Sequence, residues 1–124
     1  MPFPAREVIL SDEAEAALAG LRKRNSKIAK QILKKVGVYQ HRLLIDVHAG
    51  DLVPLPLPAS ARALQSRHGP VEKLRCLDLP NGWRMPYSFY HVDAARYVVL
   101  LEVVDHAQYS KWFPGRRKFG ATRA

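Results

Sequence analysis

Six side chains between positions 73 and 111 have the types and spacing to bind an anion and to move a proton. They are Lys73, Arg75, Arg84, His106, Tyr109 and Lys111. A guanidinium presents a planar fork that matches phosphate oxygens, which makes Arg84 the first candidate for a phosphate clamp. His106 is the natural acid/base candidate, because an unperturbed imidazole titrates at about pH 6.5. Tyr109 adds a hydroxyl three residues further on.

The charge of the whole chain fits an anionic partner. Its 124 residues include 20 Lys and Arg against 11 Asp and Glu, a formal net charge of +9. Such an excess favours nucleic acid first, an acidic protein second and an anionic membrane third.

Other chemistries have weaker support. The single cysteine, Cys76, excludes an internal disulfide and a cysteine-rich zinc site, and we predict that it is a buried structural thiol. His41 and His48 lie seven residues apart but lack the partners of a metal site. The sequence has no Gly-rich phosphate loop, no apolar core of a signal peptide and no apolar run long enough to span a bilayer. We therefore expect a cytoplasmic protein without a metal or a small-molecule cofactor.

The candidate residues fall within a predicted antiparallel meander over residues 71–113. Alternation within its first two runs is interpreted as placing Lys73, Arg75 and Arg84 together on an open cationic face, with apolar side chains on the other face. The third run is apolar almost throughout, which predicts a strand buried on both sides. Pro86 lacks the N–H that a central strand needs, so either a bulge or a locally unpaired strand is expected there.

The elements before the meander supply a cover for its apolar face. A short β-branched run at Glu7–Leu10 predicts a strand, and two amphipathic helices follow, joined by a tight turn at Asn25. Residues 51–58 alternate with proline, which predicts an extended connector. We expect one α+β domain over 1–124, with an N-terminal strand and a two-helix hairpin packed on one face of a mainly antiparallel four-stranded sheet. A loosely ordered basic tail would cover about 114–124.

This order of elements resembles the RelE/ParE superfamily of type II toxin–antitoxin toxins, over nearly the whole chain from about Glu7 to Phe113. The motifs that carry the resemblance are Lys73-Leu74-Arg75, Gly82-Trp83-Arg84 with Tyr87, and the His-x-x-Tyr-x-Lys segment from His106 to Lys111. For the RelE-like branch, the resemblance implies a metal-independent endoribonuclease that cuts mRNA, often on the ribosome, and is held inactive by an antitoxin protein. Two alternatives stay open: a ParE-like toxin that poisons DNA gyrase, and a catalytically silent basic module that binds RNA or its antitoxin.

Cleavage of RNA without a metal has defined requirements. The ribose 2′-oxygen attacks the neighbouring phosphorus and the 5′-oxygen leaves, so the site needs a base, an acid and fixed cations. We predict that Arg84 clamps the phosphate, that Lys73 and Arg75 stabilise its charge and that His106 transfers a proton. Lys73 is also a candidate acid for the leaving oxygen. Tyr109 either orients the hydroxyl, stacks on a base or packs in the core, and would need a lowered pKa to act as the base.

Five further residues are predicted to contact RNA outside the reacting centre. They are His68, Lys111, Arg116, Arg117 and Lys118. The three cations of the C-terminal segment are interpreted as backbone contacts, which carry no sequence information.

Overall fold

The apolar third run of the meander forms an interior strand of the sheet. The computed structural model describes residues 2–55, 57–69, 71 and 73–114. In it, β5 (Ala95–Leu100) pairs in parallel with β1 (Glu7–Leu10) on one side and antiparallel with β4 (Arg84–Val92) on the other. β3 (Leu74–Asp78) and β2 (Asp51–Leu52) complete the order β1-β5-β4-β3-β2.

The α+β class is confirmed, but the sheet has five strands and is mixed, so the four-stranded prediction is wrong in that detail. Asp51 and Leu52, predicted as part of an extended connector, pair with Cys76 and Arg75. The two residues precede the prolines of this segment, so their backbone groups are free to join the sheet edge. β1 lies parallel to β5, with Glu7 opposite Tyr97.

The predicted helical hairpin is present as α1 (Asp12–Arg24) and α2 (Lys27–Ile45). Each helix begins at a serine cap: the hydroxyl of Ser11 accepts from the Ala14 N–H at 3.0 Å, and that of Ser26 from the Ala29 N–H at 3.1 Å. Between the helices, Asn25 adopts the left-handed conformation with φ 48°, which ends α1 and reverses the chain. The buried side of the hairpin packs on the sheet face that carries Leu77, Leu79, Met85, Tyr87, Phe89, Val98 and Leu100.

The opposite face of the sheet is also covered, which corrects the expectation of an open face. It packs beneath a short turn at Ala59–Ala61, α3 (Arg62–His68) and α4 (His106–Trp112). The core on this side includes Leu64, Leu74, Cys76, Leu101, Tyr109 and Trp112. Cys76 is 6% exposed, as predicted for a structural thiol, and its burial raises the thiol pKa to about 12. No described helix combines the length and apolarity that crossing a membrane requires.

Pro86 sits at a β-bulge, one of the two predicted outcomes. Tyr87 pairs with Leu100 and Arg84 with Val104, so the β4 side has one residue fewer between these pairs. The Pro86 carbonyl accepts from the N–H of Leu101 at 3.0 Å and from that of the next residue at 3.4 Å. The bulge accommodates Pro86, which has no N–H to donate. Pairing resumes between Arg84 and Val104, just before α4 begins.

Candidate nucleic-acid interface

The structure separates the five predicted catalytic residues into two groups. In the pairing of β3 with β4, Arg75 lies opposite Tyr87 and Asp78 lies opposite Arg84. Arg75 therefore belongs to the face under the helical hairpin, whereas Arg84 belongs to the face under α4. Lys73 and Asp78 are also five residues apart along the chain, or about 16 Å at the rise of a strand. The prediction that Arg84 shares a face with Lys73 and Arg75 is wrong.

Arg84 and Tyr109 form a structural contact between the sheet and α4. The Arg84 side chain is 12% exposed, and its Nε lies 3.1 Å from Oδ1 of Asp78. Its Nη1 donates to the Trp83 carbonyl at 3.0 Å, and its Cζ lies 4.9 Å from the centroid of the Tyr109 ring. Tyr109 is 1% exposed, and burial raises the pKa of its hydroxyl to about 12. Tyr109 is thus too buried to stack on a base, and its pKa is shifted in the direction opposite to that needed for a base.

His106 and Lys111 lie on the exposed side of α4. His106 is the first residue of the helix, which begins at the Asp105 cap, and its Nε2 lies 3.4 Å from Oγ of Ser110. A Cβ added at Gly82 would come within 3.1 Å of the Cβ of His106, so the glycine turn makes room for the start of α4. His106 is accessible, but Lys73 and Arg75 lie at another part of the sheet.

His68 does not lie on a cationic face as predicted. Its Nε2 is 2.7 Å from Oε2 of Glu102, and its side chain is 6% exposed. Arg67 also pairs with Glu102, at 3.2 Å, and Glu13 lies 3.9 Å from Nδ1 of His68. The burial and the acidic partners argue against an RNA contact, and they indicate that His68 fixes α3 to the bulge. Arg116, Arg117 and Lys118 fall outside the described residues.

Among the described residues, the cluster of Glu13, His68 and Glu102 comes nearest to the geometry of a metal site. One ligand atom each from Glu13, His68 and Glu102 lies within 4.8 Å of the others. The guanidinium of Arg67 already supplies a positive charge to Glu102, and His68 bonds directly to the same carboxylate. These contacts satisfy the carboxylate without a metal, so the cluster is explained as a packing contact of α3.

Lys73 and Arg75 instead line a second site, a cleft of about 360 Å³ beside the C-terminal end of α2. We call it the cationic cleft. Three cationic side chains, two histidines and three apolar side chains line it: Lys73, Arg75, Arg96, His48, His91, Phe3, Leu52 and Phe89. Positive charges and aromatic rings therefore meet in one concave site, a combination that proteins binding single-stranded nucleic acid also use.

The sheet and the segment after α2 hold the cations of the cleft in place. Arg75 donates from Nε to the Gly50 carbonyl at 2.7 Å and from Nη2 to the His48 carbonyl at 3.4 Å. Tyr87 fixes the same segment, because its hydroxyl donates to the Val47 carbonyl at 2.7 Å and accepts from the Gly50 N–H at 2.9 Å. Gly50 leaves no space for a side chain, since a Cβ there would lie 2.7 Å from the Tyr87 ring.

Two further cations lie over aromatic rings at the walls of the cleft. Nζ of Lys73 is 5.1 Å from the centroid of Phe89, and Cζ of Arg96 is 4.7 Å from that of Phe3. Such contacts hold a long side chain in place and leave its charge available to a ligand. Phe3 remains 40% exposed and offers a surface on which a base can stack.

His48 lies between the two phenylalanine rings. The imidazole meets Phe3 edge-to-face at 4.9 Å and Phe89 at 5.3 Å. Desolvation by these neighbours lowers the pKa of His48, and the positive charge of Arg75 lowers it further. The negative charge of Asp46 acts in the opposite direction, since its Oδ1 lies 3.7 Å from Nδ1 of His48. The same oxygen accepts from the backbone N–H of His48 at 3.1 Å. The lowered pKa favours the neutral form of the imidazole.

Sequence reasoning did not identify His48, His91, Arg96 and Phe3 as site residues. In the sequence His48 stands out only as a candidate metal ligand, and Phe3 is 45 positions before it in the chain. One signal was available: a tight turn at 93–94 makes His91 and Arg96 cross-strand partners in the β4–β5 hairpin. Comparison with known proteins adds no further guide, since no family model, curated protein or solved structure was found to match the chain.

Proposed function

We propose that the protein is a metal-independent endoribonuclease of the RelE-like toxin kind and that it cleaves mRNA in the cationic cleft. The observation that carries this proposal is the convergence of Lys73, Arg75 and Arg96 with His48 and His91 on one cleft. Ribosomes as the setting and an antitoxin as the controlling partner rest on the sequence resemblance.

Single-stranded RNA fits the cleft better than a duplex does. The cations bind successive phosphates, and the exposed ring of Phe3 stacks on an unpaired base. Bases in a duplex are already stacked and are not free to pack on Phe3. The cleft therefore favours an unpaired stretch of mRNA.

The two histidines provide a base and an acid for the reaction. Neutral His48 takes the proton from the 2′-hydroxyl through Nε2 as the 2′-oxygen bonds to phosphorus. The bond from phosphorus to the 5′-oxygen breaks, and His91 acts as the general acid that gives a proton to that oxygen. Arg75 and Arg96 stabilise the charge that accumulates on the phosphorane. The products are a 2′,3′-cyclic phosphate and a 5′-hydroxyl.

This assignment replaces the site built on Arg84 and Tyr109. Arg84 is engaged with Asp78 and with the ring of Tyr109, so we assign it to the stability of the fold. His106 is exposed but has neither Lys73 nor Arg75 beside it. The proton-transfer role that the sequence suggests for His106 competes with this assignment, and the activity of His106→Ala compared with that of His48→Gln decides between them.

A cleavage assay tests the proposed chemistry. Naked mRNA and translating ribosomes should be offered separately, in excess chelator, and the ends of the fragments determined. We expect 5′-hydroxyl fragments in at least one setting. The variant Lys73→Gln/Arg96→Gln, purified in the same way, is the control for contaminating nucleases. Fragments with 5′-phosphates, or equal cleavage by the control variant, would exclude the mechanism.

The same cleft supports a second candidate function, RNA binding without cleavage. Phe3 and Phe89 flank His48 and restrict the directions from which a hydroxyl can approach it. Tight binding of single-stranded RNA together with intact RNA in both assay settings would establish this alternative. Inhibition of gyrase without either RNA activity would instead favour a ParE-like toxin.

A further inference from the structure

The helical hairpin carries a second concentration of positive charge, remote from the cationic cleft. Between positions 16 and 45 the chain has no Asp or Glu. The same span has eight basic residues: Arg22, Lys23, Arg24, Lys27, Lys30, Lys34, Lys35 and Arg42. Three of these have aromatic partners, because Arg24 lies over Trp83 and both Lys35 and Arg42 lie over Tyr39.

The other five form what we call the hairpin surface: Arg22, Lys23, Lys27, Lys30 and Lys34. All five are exposed, and none has a salt-bridge partner among the described carboxylates. Lys27, Lys30 and Lys34 line a shallow groove with Gln31, at the spacing of one side of a helix. They extend for about 10 Å along α2, given the helical rise per residue.

The positions of these lysines work against the stability of α2. The first turn of α2 has no acidic residue, and it begins with Lys27. Positive charge there opposes the helix dipole, and lysines three or four positions apart repel each other. In α1 the arrangement is favourable, with Asp12, Glu13 and Glu15 in the first turn. An anionic partner removes both unfavourable terms in α2, so the surface has the electrostatic character of a binding site.

The partner of this surface differs from that of the cleft, because no aromatic residue occurs between positions 16 and 38. The groove lined by Lys27, Lys30, Gln31 and Lys34 has no aromatic ring on which an unpaired base could stack, so its lysines contact phosphates. A rigid helix with evenly spaced cations suits the regular phosphate backbone of a double helix. The choice of RNA as the polyanion rests on the proposed function.

We propose that the hairpin surface binds the phosphate backbone of double-stranded RNA, independently of the cationic cleft. From Lys30 to the end of α2 is 15 residues, so the two sites lie about 20–25 Å apart. The protein thereby holds a helical stem on α1 and α2 while an adjacent single strand enters the cleft. Its preferred RNA contains a stem next to an unpaired segment.

Two double variants that each lose two positive charges distinguish binding at the hairpin surface from a general effect of net charge on RNA affinity. Lys30→Gln/Lys34→Gln removes two charges from the hairpin surface. Arg6→Gln/Arg62→Gln removes two exposed charges from outside both sites. Fluorescence anisotropy measures binding to a blunt 20-base-pair RNA duplex and to a 12-nucleotide single strand with 2′-O-methyl groups, which cannot be cleaved. Circular dichroism confirms that both variants fold.

We expect Lys30→Gln/Lys34→Gln to weaken duplex binding about tenfold or more and single-strand binding less than about twofold. Its slope of log affinity against log salt on the duplex should fall by about 0.9 for each phosphate that the variant no longer binds. Lys73→Gln/Arg96→Gln should show the reverse selectivity. Duplex affinity that falls equally in Lys30→Gln/Lys34→Gln and Arg6→Gln/Arg62→Gln would overturn the proposal, as would loss of single-strand binding alone. Duplex binding that is lost selectively in Lys30→Gln/Lys34→Gln, by a protein that cleaves no RNA, would refute the nuclease and still support this surface.

Discussion

The imidazole of His48 is held by Phe3 and Phe89 and lies among Arg75, Lys73 and Arg96. A base must be unprotonated at the working pH, and desolvation, followed by the charge of Arg75, lowers the pKa of His48. The unfolded chain therefore takes up a proton at His48 at a higher pH than the folded chain does. The stability associated with neutral His48 is present above about pH 6.5 and is lost as the pH falls through the folded pKa.

A titration of the His48 imidazole by nuclear magnetic resonance checks this directly. We expect its inflection below the unperturbed histidine value of about 6.5. In Arg75→Gln the inflection should move upward, because one of the charges that lowers the pKa is removed. An inflection of His48 above the unperturbed value would contradict its role as a base.

Arg84, in contrast to His48, is expected to contribute to stability and not to catalysis. Its contacts are with Asp78, the Trp83 carbonyl and the Tyr109 ring. Arg84→Gln removes the cation–π interaction with Tyr109 and the hydrogen bond to the Trp83 carbonyl. We expect the free energy of unfolding in urea to fall by about 1–3 kcal/mol. Cleavage by the folded variant should remain within about twofold of the original at 25 °C. Unchanged stability together with abolished cleavage would return Arg84 to the catalytic site.

At the scale of elements, α2 tests whether the hairpin surface is selected for stability or for binding. Lys27→Glu places a carboxylate in the first turn, where the helix dipole favours it, and should raise the free energy of unfolding by about 0.3–1 kcal/mol. Lys23→Glu removes the same charge from the last turn of α1, where a cation is favourable, and should lower it. Urea denaturation measures both. Destabilisation by Lys27→Glu would mean that the lysine supports the helix.

The sequence predicted the helices better than it predicted the faces of the strands. The period of apolar residues and the serine caps were sufficient to predict α1 and α2. Alternation gave the two rows of side chains in β3 and in β4, but it did not establish which rows match across the turn. Both sheet faces are buried, one under the hairpin and one under α3 and α4, so both rows contain apolar side chains. Leu74 and Met85 therefore looked like neighbours although they lie on opposite faces.

For the whole molecule, net charge predicted an anionic partner but could not give the positions at which charge accumulates. The cationic cleft is assembled from the N-terminal segment, the segment after α2 and four strands (β2 to β5), brought together by tertiary packing. The hydrogen bond from Arg75 to the Gly50 carbonyl joins β3 to the segment after α2. It could not be predicted from a local pattern, because the two residues are far apart in the sequence. His106, Tyr109 and Lys111 form a short local motif that is easy to recognise in the sequence. For this reason the sequence analysis placed the catalytic residues partly on α4.

The central claim is that RNA is cleaved in the cationic cleft and not beside α4. Single-turnover cleavage by His48→Gln, compared with His106→Ala, tests it on the same RNA and at the same protein concentration. We predict that His48→Gln lowers the rate by about 10²–10⁴-fold, as expected for loss of a general base, and that His106→Ala stays within about twofold. Full activity in His48→Gln with a large decrease in His106→Ala would contradict the account and assign the chemistry to α4.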